Sequence, residues 1–178
     1  MSGAKRSDDR ETVEERRVSK PERERRHGKT VAGIQVRTNK ERELQPEDAQ
    51  LDRLWEKFND ERLADSIPDK AAGSPVYGVY TEYDNGAEGD YSVLAGVEVT
   101  DETKVPDDYA TLTLEAGEYL VFRGQGTGTD AAMEVWSQIW HHFEADDAPE
   151  RTFLTDYEVY EVDRVTIYVG VKEQVGAE

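Results

Sequence analysis

Leu51-Asp52-Arg53-Leu54-Trp55-Glu56-Lys57-Phe58 recurs 85 positions later as Trp136-Ser137-Gln138-Ile139-Trp140-His141-His142-Phe143. Val76-Tyr77-Gly78-Val79-Tyr80 recurs 80 positions later as Asp156-Tyr157-Glu158-Val159-Tyr160. In each copy, apolar residues at helical spacing precede a short alternating run rich in valine and tyrosine. A helix followed by a strand has been used twice. The copies part at one position that matters: Gly78 of the first stands where the second has Glu158.

Working outward, Val31, Gly33, Ile34 and Val36 predict a strand over 31–37. Gln45-Pro46-Glu47-Asp48 is expected to open a helix, since proline suits a first turn and acids there meet the helix dipole. Leu51, Leu54, Trp55, Phe58 and Leu63 mark its apolar face, and Ile67-Pro68 ends it. Strands over 76–83 and 91–99 flank a turn at 84–89 and make a hairpin. The second unit repeats the plan. Strands over 109–114 and 118–123 surround Ala116-Gly117. Gly124-Gln125-Gly126-Thr127-Gly128 leads into a helix from about Asp130, whose side chain can cap it. Met133, Trp136, Ile139, Trp140 and Phe143 form that helix's apolar face, and strands over 152–160 and 164–172 close the chain. The expected fold is α+β: duplicated β-α-β-β units, about 29–100 and 105–173, forming one antiparallel sheet with two helices on one face.

Residues 1–28 are mixed in charge and almost free of apolar side chains, so they are expected to be a disordered tail. Arg23-Glu24-Arg25-Arg26 is open to two readings, a partner-binding tail or a solvated extension. A tail of that length is too short for a helix-turn-helix module, so direct nucleic-acid binding is not expected.

Charge points the same way. The 178 residues carry 22 lysines and arginines against 40 acids, a net charge of −18. Nine basic and seven acidic residues fall in 1–27, leaving 28–178 at −20. Such a surface repels phosphates. The acids are spread along the chain rather than blocked. That favours a surface suited to concentrated salt, where screening weakens self-repulsion, over an acidic face that docks on a basic partner. The absence of cysteine excludes disulfides, thiolate zinc sites and cysteine nucleophiles. No run of 18 apolar residues exists, so no membrane helix is expected. The charged start has no apolar stretch of an export signal, which makes the cytoplasm the expected location.

Strand alternation puts Asp156, Glu158 and Tyr160 on one face, and Phe153, Thr155, Tyr157 and Val159 on the other. Gly78, lacking a side chain, would leave room opposite Glu158. Glu158 is then either a reader of positive charge in a cleft between the helices or a solvent-facing strand glutamate. A cleft of this kind would suit a flat lipophilic cation, because aromatic faces attract cations and a desolvated carboxylate adds charge complementarity. Trp55 and Trp140 are repeat equivalents and read as core packing. Trp136 replaces Leu51 of the first copy, which makes it the better candidate for a ligand wall. His141 and His142 are adjacent on one helix and point apart, and His27 lies in the tail, so no metal site or cofactor is expected. Gly124–Gly128 lacks the strand-turn-lysine context of a phosphate loop and reads as a flexible lead or a rim of the cleft.

Gly33-Ile34-Gln35-Val36-Arg37, Leu54-Trp55-Glu56-Lys57-Phe58, Ile67-Pro68, the run from Val76 to Tyr83, Gly89-Asp90-Tyr91, Val105-Pro106, Ala116-Gly117-Glu118-Tyr119, Trp136 to Trp140 and Asp156 to Tyr160, in this order, resemble the GyrI-like small-molecule-binding family, also called AraC-type or bacterial transcription activator effector-binding domains. The resemblance covers about residues 29–173. It implies a duplicated β-α-β-β domain whose cleft takes hydrophobic, often cationic molecules, with Glu158 at the position of the cation reader and Trp136, Tyr80 and Tyr160 as aromatic walls beside Gly78. It leaves three functions open: a stand-alone binder that sequesters or senses small molecules, with a separate regulator protein as partner; a hydrolase of cyclopropane-type compounds acting through Glu158, with Glu82 if it reaches the cleft; and an inhibitor of DNA gyrase.

Overall fold

The order of strands follows from the duplication. In the computed structural model, which describes residues 20–173, the elements are β1 (Glu22–Arg26), β2 (Thr30–Thr38), α1 (Lys40–Leu44), α2 (Leu51–Asp60), α3 (Leu63–Ser66), β3 (Val76–Thr81), β4 (Tyr91–Glu98), a 3-10 turn (Glu102–Lys104), β5 (Ala110–Thr113), β6 (Gly117–Gln125), α4 (Gly128–Phe143), β7 (Arg151–Tyr160) and β8 (Arg164–Val171). The eight strands form one sheet in the order β1-β6-β8-β7-β3-β4-β2-β5. Every pairing is antiparallel. The two units are β2-α2-β3-β4 and β6-α4-β7-β8. Within the sheet they read β6-β8-β7 and β3-β4-β2, so exchanging the units leaves the order unchanged. The β3–β7 pair is the seam between them.

Alternation then sorts the side chains. Val76 and Tyr80 of β3 and Tyr160 of β7 point to the face that carries α2 and α4. There, Leu54 and Phe58 of α2 pack on Ala32, Val93 and Ala95, and Val135 and Ile139 of α4 pack on Phe122, Val165 and Ile167. Each such fully buried side chain contributes roughly 1.5–3 kcal/mol. Tyr77, Val79, Tyr157 and Val159 point to the opposite face and have a core of their own.

That second core exists because the sheet curls. β1 and β2 hold the first and seventh places, yet only residues 27–29 join them. Flat strands about 4.8 Å apart would put those places nearly 30 Å from each other, whereas the link reaches about 14 Å at most. The turn between β5 and β6 imposes the same limit. The inside of the curl is filled by tyrosines: Tyr157 stacks on Tyr168 at 4.6 Å between ring centres, and Arg26 lies 4.7 Å above Tyr168. Among the described residues, no helix is long and apolar enough to cross a membrane.

Several expectations need correction. The stretch 1–28 is not all tail, because Glu22–Arg26 is an edge strand paired with β6. Backbone pairing and ion pairs hold it, Arg23 to Glu118 and Arg123 to Glu22 and Glu24, so a reading based on apolar content could not see it. Residues 1–19 lie outside the described residues. Pro46 does not open the helix. Asn39 caps the short α1, accepting from the Arg42 N–H, and α2 starts only at Leu51. Asp130 sits in the first turn of α4, whose N-cap is Thr127, and it does not cap. β3 stops at Thr81, where Glu82 takes φ of 53°. Phe153 leaves the face that alternation gave it. A bulge between Arg151 and Asp156, with φ of 53° at Phe153, turns its ring towards the helix side.

Candidate functional site

Where α2 and α4 straddle the seam, a cavity of about 540 Å³ opens above Glu158. The register pairs Gly78 directly with Glu158. A Cβ on Gly78 would stand 2.3 Å from Glu158 Oε1 and 3.0 Å from Trp55 Cζ2, so the missing side chain is what admits the carboxylate. Glu158 is 2% exposed. Trp136 Nε1 donates to its Oε2 at 2.8 Å, the Tyr80 hydroxyl to Oε2 at 3.2 Å, and the Tyr160 hydroxyl to Oε1 at 2.7 Å. All three are uncharged donors. Among the described residues, no lysine, arginine or histidine pairs with Glu158. Burial pushes the carboxyl above its ordinary value, while the bonds from Trp136, Tyr160 and Tyr80 pull the other way. Burial and the neighbouring carboxylate raise the Tyr80 and Tyr160 hydroxyls far above the usual range, so both remain donors.

The walls are aromatic. Tyr80 meets Trp136 edge-on at 5.2 Å, Trp55 meets Tyr160 edge-on at 5.1 Å, and Trp140 stacks on Trp136 at 6.1 Å. Trp140 is 45% exposed and lines the mouth with Met133 and Leu44, the last 80% exposed. Isolated exposed apolar residues are ordinary, but here three cluster around one cavity.

The loop carrying α1 forms one side of the mouth. Glu43 holds it in place. One oxygen accepts from the Gln50 N–H at 2.8 Å and the other from the Leu51 N–H at 3.1 Å, and the Thr38 hydroxyl donates to it as well. One carboxylate thus caps α2 from a distance, at the helix end where negative charge is favoured. Glu43, Asp52 and Asp130 line the cavity against Lys40 and Arg151, so with Glu158 the lining is acidic.

Gly78, Tyr80, Trp136, Glu158 and Tyr160 therefore come together at one place. Glu82 does not join them: its side chain is exposed and accepts from Gln35 Nε2 at 2.9 Å. Trp140 is a rim residue rather than buried core. Gly126, ahead of α4, and Gly128, its first residue, adopt φ of 121° and 71°, and the mouth residues beside them are Thr129 and Asp130. Sequence reasoning missed Arg151, Phe153, Tyr83 and Tyr91. Strict alternation along β7 puts Arg151 and Phe153 on the face away from Asp156, so no periodic signal marks the first two.

Set beside known proteins, the chain matches the family described as Cass2, integron-associated effector binding protein, over residues 24–171. No curated protein matches it. An integron cassette protein from the mobile metagenome of Vibrio cholerae is 26% identical in solved form, with a TM-score of 0.75 over 88% of this chain and 98% of that one. A protein solved with tetraphenylphosphonium bound is 18% identical, with a TM-score of 0.70 over 86% of this chain and 94% of that one. A Staphylococcus aureus protein named for bacterial transcription regulation is 18% identical, with a TM-score of 0.69 over 86% and 99%. The last two share the fold, and the GyrI-like resemblance expected from the sequence is borne out. Since the match spans nearly all of the described residues, the chain belongs to the Cass2 family of integron-associated effector-binding proteins.

Proposed function

We propose that this protein binds lipophilic cations in the cavity over the β3–β7 seam, sequestering them or sensing them for a separate partner. The observation that carries the reading is Glu158: a buried carboxylate at the base of an aromatic cavity, met among the described residues by three neutral donors and no cation. Burying a carboxylate without a counter-charge is costly. A cation entering the cavity removes that cost, and ring faces add attraction of about 0.5–2 kcal/mol each. The aromatic walls and acidic mouth disfavour anions. The related fold that holds tetraphenylphosphonium supports the same chemistry.

Titration with tetraphenylphosphonium and with uncharged triphenylphosphine oxide, followed by tryptophan fluorescence, tests this. Saturable quenching by the cation, at least about tenfold stronger than by the neutral compound, is expected for a charge-assisted contact. Equal affinities would overturn it. Mass spectrometry of cationic ligands recovered from the same samples separates binding, which leaves the mass unchanged, from hydrolysis, which adds water.

A further inference from the structure

A second polar group, Arg151, lines the cavity beside Glu158. Asp156 lies two residues before Glu158 on β7, about 7 Å along the strand. It is fully buried and accepts from the Gly170 N–H at 2.8 Å, from the Tyr83 hydroxyl at 2.6 Å and from Arg151 Nη2 at 2.7 Å. Arg151 lines the cavity with a side chain only 12% exposed. A guanidinium carries five N–H donors. That single bond to Asp156 is the one Arg151 makes among the described residues; Nε is sealed off, and Nη1, with no acceptor there and not sealed, is the donor group left to offer the cavity.

The backbone around it is strained in the same place. The bulge in β7 falls between Arg151 and Asp156, and Phe153 inside it holds φ of 53°, which a bulky aromatic residue rarely adopts. Bulges beside sites re-aim side chains. Here the bulge lays the Phe153 ring 4.3 Å from the guanidinium carbon and sets Arg151 at the cavity. The charge of Arg151 is already met by Asp156, so what it has to spare is donors rather than charge.

We propose that Arg151 forms a hydrogen-bond-donating subsite in this cavity, so that the ligand is a lipophilic cation carrying an uncharged oxygen acceptor, such as a ketone or ether, about one phenylene ring away from its positive centre. The spacing is taken from the two-residue step between Glu158 and Asp156, the carboxylate on which Arg151 rests. An acidic lining rules against a carboxylate in that role. The cationic half of the inference rests on the function proposed above, and the acceptor half does not.

Four probes separate the halves: (para-benzoylbenzyl)trimethylammonium, its methylene analogue (para-benzylbenzyl)trimethylammonium, benzophenone and diphenylmethane. The ketone of each pair is expected to bind about tenfold or more tightly than its methylene partner, as a hydrogen bond to a charged group implies. Comparing charged with uncharged probes reads Glu158; comparing ketone with methylene reads Arg151. In Arg151→Met/Asp156→Asn, which removes the ion pair as a unit, the ketone preference, read as the ratio of ketone to methylene affinity, should fall to about unity. Isotope-edited infrared spectroscopy of the labelled ketone on the unaltered protein needs no variant. The bound carbonyl stretch should lie below its position in an apolar solvent. Equal binding within both pairs, an unshifted carbonyl, or a preference that survives the double substitution would overturn the acceptor subsite. A ketone preference in the uncharged pair with no gain from charge would retain it and overturn the cation reading. Failure of all four probes to bind would overturn both.

Discussion

Gly78 and Glu158 are repeat equivalents that face each other across the central strand pair. At this register no other pair does so: Val76 faces Tyr160 and Tyr80 faces Asp156, each beside the equivalent of a different residue. The pseudo-twofold axis of the duplication therefore passes through the Gly78–Glu158 pair. Two full side chains of the same kind would compete for one space on the axis. The asymmetry of the duplicate resolves this by giving the whole space to one carboxylate, which then lies at the centre of the cavity floor.

Glu158→Gln should keep the fold, since the Tyr160 hydroxyl can accept from the new amide while Trp136 and Tyr80 still donate to its oxygen. Affinity for tetraphenylphosphonium should fall by at least about tenfold, as expected for loss of a charged partner. Affinity for a neutral aromatic should not fall. Parallel titrations decide it, and equal weakening of both ligands would show that the cavity, rather than the charge, had been damaged.

Cation affinity should depend on pH through Glu158. Its carboxyl is raised above the ordinary 4.5 chiefly by burial, so cation binding should weaken as pH falls through that raised value, earlier than for an exposed glutamate. Stability of the free protein should run the opposite way. The folded state binds the proton more tightly than the unfolded chain, so this contribution is full below 4.5 and is lost as pH rises through the raised value. Thermal melts of the free protein across that window, compared with Glu158→Gln, isolate the term. A variant with the same slope would assign it elsewhere.

Trp136→Phe removes one of the three donors to the carboxylate while keeping a ring against Tyr80. With less stabilisation of the ionised form, the midpoint of the binding-versus-pH curve should move to higher pH. A midpoint that stays put would mean that the indole N–H does not tune Glu158.

Gly78→Ala puts a methyl group 2.3 Å from Glu158 Oε1, which three donors hold in place. Overpacking of this kind costs about 1–3 kcal/mol, and cation binding should be lost with it. Adding Glu158→Ala should restore much of the stability and none of the cation binding. Denaturant titration of the single and double variants gives the coupling, and a Gly78→Ala protein of unchanged stability would contradict the packing described here.

Glu43→Gln leaves one acceptor oxygen where two now serve the Gln50 and Leu51 N–H groups and the Thr38 hydroxyl. Loss of a helix cap costs about 0.5–2 kcal/mol, so the melting temperature should drop by several degrees. Amide exchange should quicken first at the start of α2. Exchange that quickens evenly along the chain would point away from a local cap.

Leu54, Trp55 and Phe58 against Ile139, Trp140 and Phe143 made the two helices legible, because helical burial leaves a period in the sequence. Valine and tyrosine alternation did the same for β3, β4, β7 and β8. β1 was hidden because its stabilisation comes from backbone pairing and surface ion pairs, which leave no apolar period. The bulge that redirects Phe153 was hidden for the converse reason: it breaks the period on which reading a strand depends.

Sequence by itself determined the duplication, the face of its strand on which Glu158 lies and the missing side chain at its repeat equivalent Gly78, since these depend on spacing along one chain. Tertiary structure alone decided that Glu158 is buried, that its donors are Trp136, Tyr80 and Tyr160, and that Arg151 lines the same cavity. Those are contacts between residues as many as 78 positions apart, set by the antiparallel register of β3 on β7 and the placement of α4 above it. Register and curl are properties of the whole sheet, and local side-chain pattern does not encode them.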